Sequence, residues 1–272
     1  MNPRAAFTQL FGGPRALIGM VHVGALPGSP AAHHSVEKLA QLAVAEARVY
    51  GAAGFTAIAI ENMHDRPYLK GAVGPEVTAA MAAIGREIKR ETGLTLGVQV
   101  LAGANREALA VAHACEAGFV RVEGFVYAHV ADEGVIESCA GELLRYRRTI
   151  GAEQVRVFAD IKKKHSSHAI TADVSLAETA RAAEFFLADG VIVTGTATGE
   201  AASSADVRAA IDACTLPVLV GSGLTPANLG QYAHAHGFIV GSSVKLGGVW
   251  SNPLDPAAVR AVAAAFAALP KA

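Results

Sequence analysis

The stretch 216-LPVLVGSGLTPANLGQYAHAHGFIVGSSVKLGG-248 decides how the rest of the chain is read. An apolar run, Leu216–Val220, ends in Gly221-Ser222-Gly223, and Thr225-Pro226 then reads as a helix opening. A second apolar run, Gly237–Val240, ends in Gly241-Ser242-Ser243. Glycine lets backbone approach a ligand closely, and a short loop opening a helix aims N–H groups at an anion. Two such corners on neighbouring strand ends predict a phosphate cradle made of Gly221, Ser222, Gly223, Gly241, Ser242 and Ser243. That is the place where an eightfold β/α barrel carries one, after strands seven and eight. The plainer alternative is that the glycines only let tight turns form. Lys245 either adds a charge there or is a solvated side chain.

Working outward, six more strands are expected: 16–23, 55–62, 94–100, 119–125, 154–161 and 191–194. Helices are expected between them over 36–53, 75–92, 105–117, 139–150, 175–188 and 204–213, with a closing helix over 256–269. Ser35 and Glu37 sit where a helix N-cap and first turn want them, and Gly54 where its end does. The loops after the strands are long and rich in polar residues, those before them short. Eight units without a linker predict an α/β fold, a single (β/α)8 barrel over residues 16–272 behind a short N-terminal arm, 1–15. The 272 residues suit that architecture, and 52% are hydrophobic, enough for a sizeable core.

Charge is balanced, with 23 Lys+Arg against 24 Asp+Glu, so no basic excess points to nucleic acid. Three scattered cysteines form no CxxC pair, which suits buried thiols in a reducing compartment. The first residues lack the pattern of a secretory signal, and no apolar run is long enough to span a membrane. A cytoplasmic location is expected, with a homodimer as the base-rate oligomer.

Alternate residues of a strand face the same way. Glu61, Gln99, Arg121 with Glu123, and Arg156 with Phe158 and Asp160 share one parity. Ile58, Ile60, Val98, Val120, Val122 and Val157 share the other. The polar set is therefore expected inside the barrel, toward the strand C-termini, where barrel sites form.

These residues resemble the BtpA/SgcQ family of (β/α)8 proteins. The resemblance is carried by 18-IGMVHVGALPGSP-30, 60-IENMHDRPY-68, 157-VFADIKKKHSSH-168, 191-VIVTGTATGEA-201, 218-VLVGSGLTPANL-229 and 239-IVGSSVKLGGVWSNPLDPAAV-259. The segment 120-VRVEGFVYAHVADEGVIES-138 is similar but departs from the family, which is expected to carry a small polar residue where Glu123 stands. The resemblance implies the barrel and a ligand pocket. It implies no reaction, because none is established for the family. Its founding member is linked to accumulation of photosystem I proteins, so a non-catalytic assembly or stabilisation factor is the second reading.

An acid–base group is expected from His22, Glu61, Asp160, Lys162, Lys164 and His165, all on strand ends or the loop after strand five. Asp160 and Lys162 have the spacing to share one strand face, and a buried carboxylate beside an amine leaves one of them poised as acid or base. Asn62, Gln99, Thr194, Thr196 and Thr198 are expected to contact substrate, with the 194–200 loop as hydrogen-bond donor or lid. Proton transfer in an isomerisation or epimerisation of a phosphorylated sugar or phosphoribosyl-like molecule ranks first. A Schiff base on Lys162 or Lys164 ranks second, and a metal third, since no HxH or HExxH spacing supports one. No cofactor is expected. The plain alternative is a self-neutralising buried network of Glu61, Arg121, Glu123, Arg156 and Asp160.

Overall fold

The computed structural model describes residues 2–270. Eight parallel strands close on themselves: β1 (Ala16–His22), β2 (Ala57–Glu61), β3 (Thr95–Gln99), β4 (Phe119–Val122), β5 (Arg156–Ile161), β6 (Gly190–Val193), β7 (Val218–Val220) and β8 (Gly237–Val240). Closure is direct, because β1 pairs with both β2 and β8, in register Ala16 to Gly237. This is the barrel that the alternation predicts.

The N-terminal arm is helical, α1 (Pro3–Phe11). It lies under the barrel and drives Phe7 and Phe11 against Phe119 and Phe158 of the interior, with Phe11 and Phe119 at 5.6 Å between ring centroids. The bottom of the barrel is thus an apolar plug built from α1, Ile18, Ala57, Ala59, Ile192, Leu219 and Ile239. Outward-facing Ile58, Ile60, Val98, Val120 and Val157 pack under the helices in the larger core.

Helices α2 (Val36–Ala52), α3 (Pro75–Thr92), α4 (Asn105–Ala114), α5 (Ala140–Thr149), α6 (Leu176–Phe185) and α7 (Ser204–Ala213) follow the first six strands, and α8 (Pro256–Ala267) closes the ring. Ser35, Ser175 and Ser203 cap their helices as acceptors. The seventh unit differs from expectation. Thr225-Pro226 opens no α-helix. Asn228 instead accepts from the Thr225 N–H at 2.8 Å and donates to the Gly223 carbonyl at 2.8 Å, and only a 3₁₀ turn, Leu229–Tyr232, follows.

Two loops carry structure that the sequence did not disclose. His129–Ala131 and Gly134–Ile136 form an antiparallel hairpin after β4, and Ser166–Ser167 of the loop after β5 joins its edge. This three-stranded flap stands over one side of the mouth. Strand β4 is shorter than expected because Gly124 turns the chain at φ +62.

Candidate functional site

Above the apolar plug, the inward positions become ionisable. Arg121 donates to both oxygens of Asp160, from Nε at 2.9 Å and Nη2 at 3.1 Å, and both side chains are buried. Lys163 lies 3.2 Å from Glu123, whose other oxygen accepts from Gln99 at 3.3 Å. Glu61 and Lys164 remain. Neither side chain has a hydrogen-bond or ion-pair partner among the described residues; Glu61 is buried and Lys164 half-buried in the cleft wall. Burial raises the pKa of Glu61, against the pull of Arg121 and Lys164. Burial and then Arg121 lower that of Lys164. Two unpaired groups of opposite sign, each biased toward its neutral form, can give and take protons.

The chain breaks the expected parity after β5. Lys162 has φ +48, which turns its side chain away from Asp160, and its amine donates to the Thr171 carbonyl at 2.8 Å. Lys162 and Asp160 therefore do not share a face, and the unpaired amine in the pit is that of Lys164, whose backbone N–H donates to Thr194 Oγ1 at 3.0 Å. Asp160 is spent on Arg121. Arg156 is not in the network at all; it pairs with Asp189 at 3.3 Å near the N-terminal end of its strand. Asn62 is buried and accepts from the Leu101 N–H at 2.7 Å while donating to Asp65 at 3.2 Å, so it fixes loops instead of facing the cleft.

The three threonines also knit the mouth. Thr194 holds Lys164, Thr196 bonds Glu200, and Thr198 meets His165 Nε2 at 2.7 Å through its hydroxyl and 3.0 Å through its N–H. His165 thus ties the loop after β5 to that after β6, and only Thr198 of the three lines the cleft.

The two Gly-Ser corners lie side by side in one cavity of about 340 Å³. Its walls include Gly221–Thr225, Gly241–Ser243, His22, Glu61, Arg121 and Lys164. The N–H groups of Gly223, Leu224, Ser242 and Ser243 have no protein acceptor among the described residues. Gly223 sits at φ +64, where a Cβ would lie 2.2 Å from the Ala201 nitrogen; at Gly241 a Cβ would come within 3.2 Å of His22 Nε2. The serine hydroxyls differ in use. Ser222 Oγ accepts from Gly195 at 2.6 Å and donates to the Glu200 carbonyl, and Ser243 donates to that of Leu224, which leaves Ser242 free. Lys245 is neither a cradle cation nor solvated. It is buried and reaches both oxygens of Glu46 on α2 at 2.8 Å.

His22 Nδ1 faces the Trp250 carbonyl at 2.9 Å. A carbonyl only accepts, so Nδ1 carries the proton and Nε2 presents a bare lone pair beside Gly241. Burial, then the charge of Lys245, hold its pKa down at about 3. Below pH 6.5 an unfolded chain takes up this proton and the folded chain refuses it, so the group's contribution is lost as pH falls toward 3. H22Q should therefore gain on the parent protein by about 2 kcal/mol between pH 7 and pH 5, read from urea unfolding at both pH values. Parallel curves would place the imidazole in water.

A second lobe of about 270 Å³ shares Glu61, Met63, Arg121, Lys164 and Thr198 with the first. Its far wall is Tyr68, Leu101, Ala102 and Trp250, with Arg66 stacked 5.0 Å from the Trp250 ring. Sequence parity could not find Trp250 or Tyr68, which reach the cleft from loops. Among the described residues no three His, Cys, Asp or Glu side chains are grouped to hold a metal ion.

Comparison with known proteins fixes the kinship. Residues 14–268 match the BtpA family. The chain belongs to the BtpA family. It is 35% identical to the photosystem I biogenesis protein BtpA of Synechocystis over 261 residues, 95% of this chain and 90% of that one. It is 47% identical over 262 residues to an uncharacterized mitochondrial protein of Caenorhabditis elegans, 94% of each chain. That name does not fit a plain cytoplasmic expectation for such chains; no helix among the described residues is long and apolar enough to cross a membrane. Two solved barrels are similar in fold. Thiamine phosphate pyrophosphorylase of Pyrococcus furiosus has a TM-score of 0.58 at 16% identity, covering 94% of this chain and 97% of its own. Phosphoribosyl anthranilate isomerase of Thermus thermophilus has 0.56 at 15%, covering 94% and 100%.

Proposed function

We propose that this BtpA-family barrel is an enzyme acting on a phosphorylated sugar or phosphoribosyl-like molecule by isomerisation or epimerisation. The observation that carries this reading is one cleft holding both an unfilled row of N–H donors and an unpaired buried carboxylate. The phosphate lies against Gly223, Leu224, Ser242 and Ser243, and this remote binding energy fixes the reacting carbons over Glu61. Glu61 takes a proton from the carbon beside a carbonyl and returns it to the neighbouring position. Arg121 Nη1, left over from the Asp160 pair, faces the oxygen on which charge develops. His22 Nε2 accepts from a substrate hydroxyl. The fold neighbours named for phosphate-bearing compounds support the class, by analogy of fold only.

The test is a melting series against sugar phosphates and their dephosphorylated partners at fixed ionic strength. At a hundredfold excess over Kd, a phosphorylated ligand should raise Tm by roughly 5–10 °C. Equal responses to both members of every pair would remove the phosphate anchor. A second reading, an assembly factor, is supported by the name of the Synechocystis relative and by an apolar face at the end of α6, where Phe185 is 81% and Leu187 70% exposed. That role does not need the cleft, and it predicts no selective response to phosphate.

A further inference from the structure

We propose that Lys164 is a covalent catalyst whose amine condenses with the carbonyl carbon of an aldehyde or ketone phosphate anchored at the β7 and β8 corners. This deepens the reading above and rests on it for the position of the phosphate. Three consecutive lysines make the comparison internal. Lys162 gives its amine to Thr171 at 2.8 Å, and Lys163 lies 3.2 Å from Glu123. The Lys164 amine has no partner among the described residues, and its side chain lines both lobes of the cleft. Burial alone does not force that state: Lys245, more deeply enclosed, is neutralised by Glu46. The Lys164 backbone is fixed on Thr194, so the amine is presented from a loop pinned to the end of β6. Its place at the junction of the lobes is where a carbon a few bonds from an anchored phosphate would lie.

The neutral amine is the nucleophile, and desolvation beside Arg121 favours it over the ammonium. Its lone pair forms a C–N bond while the carbonyl π pair moves to oxygen, which takes up a proton as nitrogen gives one up. Glu61, which burial biases toward the protonated acid, then donates a second proton to the departing hydroxyl. Water leaves as the nitrogen lone pair closes a C=N bond, so a protonated iminium and the Glu61 carboxylate remain. Amine, carbonyl and the Glu61 acid thus give iminium, Glu61 carboxylate and water, and the same steps in reverse release the product. The iminium draws electrons from the adjacent C–H, which eases the transfer of that proton to the Glu61 carboxylate.

Pyridoxal 5′-phosphate, a phosphate-bearing aldehyde, is the probe, with borohydride to trap the adduct and peptide mapping to place it. Glyceraldehyde 3-phosphate with borohydride is the second probe. The expected result is a trapped adduct on Lys164, lost to background in K164M and K164R, kept in K162M, and suppressed by inorganic phosphate. Circular dichroism and melting of each variant separate a missing amine from a missing fold. Adducts spread over surface lysines, unchanged in K164M, would overturn the assignment. If sugar phosphates raise Tm while Lys164 takes no label, the covalent step fails and the anchor stands. Labelling of Lys164 that phosphate does not suppress keeps the lysine and counts against the anchor.

Discussion

Arg121→Met should destabilise the barrel by about 3–5 kcal/mol, the cost of leaving a buried charge without its partner. The Arg121–Asp160 pair is bidentate, and the two side chains are 7% and 1% exposed, so no water stands ready to take over. Asp160→Asn should cost a similar amount, since it leaves a buried guanidinium without its bidentate carboxylate. The double variant R121M/D160L should recover much of the loss, because two well-packed apolar side chains need no partner. Urea unfolding of the three variants reads this directly. Single variants within 1 kcal/mol of the parent, or a double variant as weak as the sum of the singles, would mean that the pair is open to water.

Glu61→Gln should behave in the opposite way, keeping the fold and losing the chemistry. The carboxylate has no partner among the described residues and is held above its ordinary pKa by burial, so a neutral isostere removes an electrostatic cost and leaves the packing alone. Stability at pH 7 should be unchanged or improved. Turnover of the sugar phosphate picked out by the melting series should fall roughly 10²–10⁴-fold, the usual size of an acid–base contribution, with its ligand-induced Tm shift retained. For the parent protein, kcat/KM should follow an ionisation above the usual carboxylate range. Full activity in E61Q would take the acid–base role away from strand β2.

The barrel was legible because its signal is periodic and repeated. Apolar alternation placed Glu61, Gln99, Arg121, Glu123 and Asp160 on the inner face, where the structure has them, since a strand has a strict period of two. The same rule failed one residue past its domain. Strand β5 ends at Ile161, and Lys162 at φ +48 turns the chain, so Lys163 and Lys164 point into the site that parity had assigned to Lys162. The flap was hidden for a different reason: three residues such as His129–Ala131 are too few for a periodic pattern to register. Long-range partners were out of reach altogether. Lys245 meets Glu46 across 199 positions, and Trp250 meets His22 across 228, and nothing local to either residue announces the contact.

That difference also sorts the site. The glycine corners could be read as turns because backbone geometry restricts what can stand there, whereas the states of the side chains depend on who is left unpaired. Asp160 looked reactive in the sequence and is spent on Arg121; Glu61 and Lys164 looked no different and have no side-chain partner among the described residues. Only the full set of neighbours separates them.

The most direct test is a crystal of the parent protein soaked with the sugar phosphate that gives the largest Tm shift. Tetrahedral density should stand within hydrogen-bond distance of the N–H groups of Gly223, Leu224, Ser242 and Ser243, with the sugar carbons leading toward Glu61 and Lys164. Density at those carbons with the phosphate elsewhere, or a cradle that stays filled with water at saturating ligand, would contradict the account.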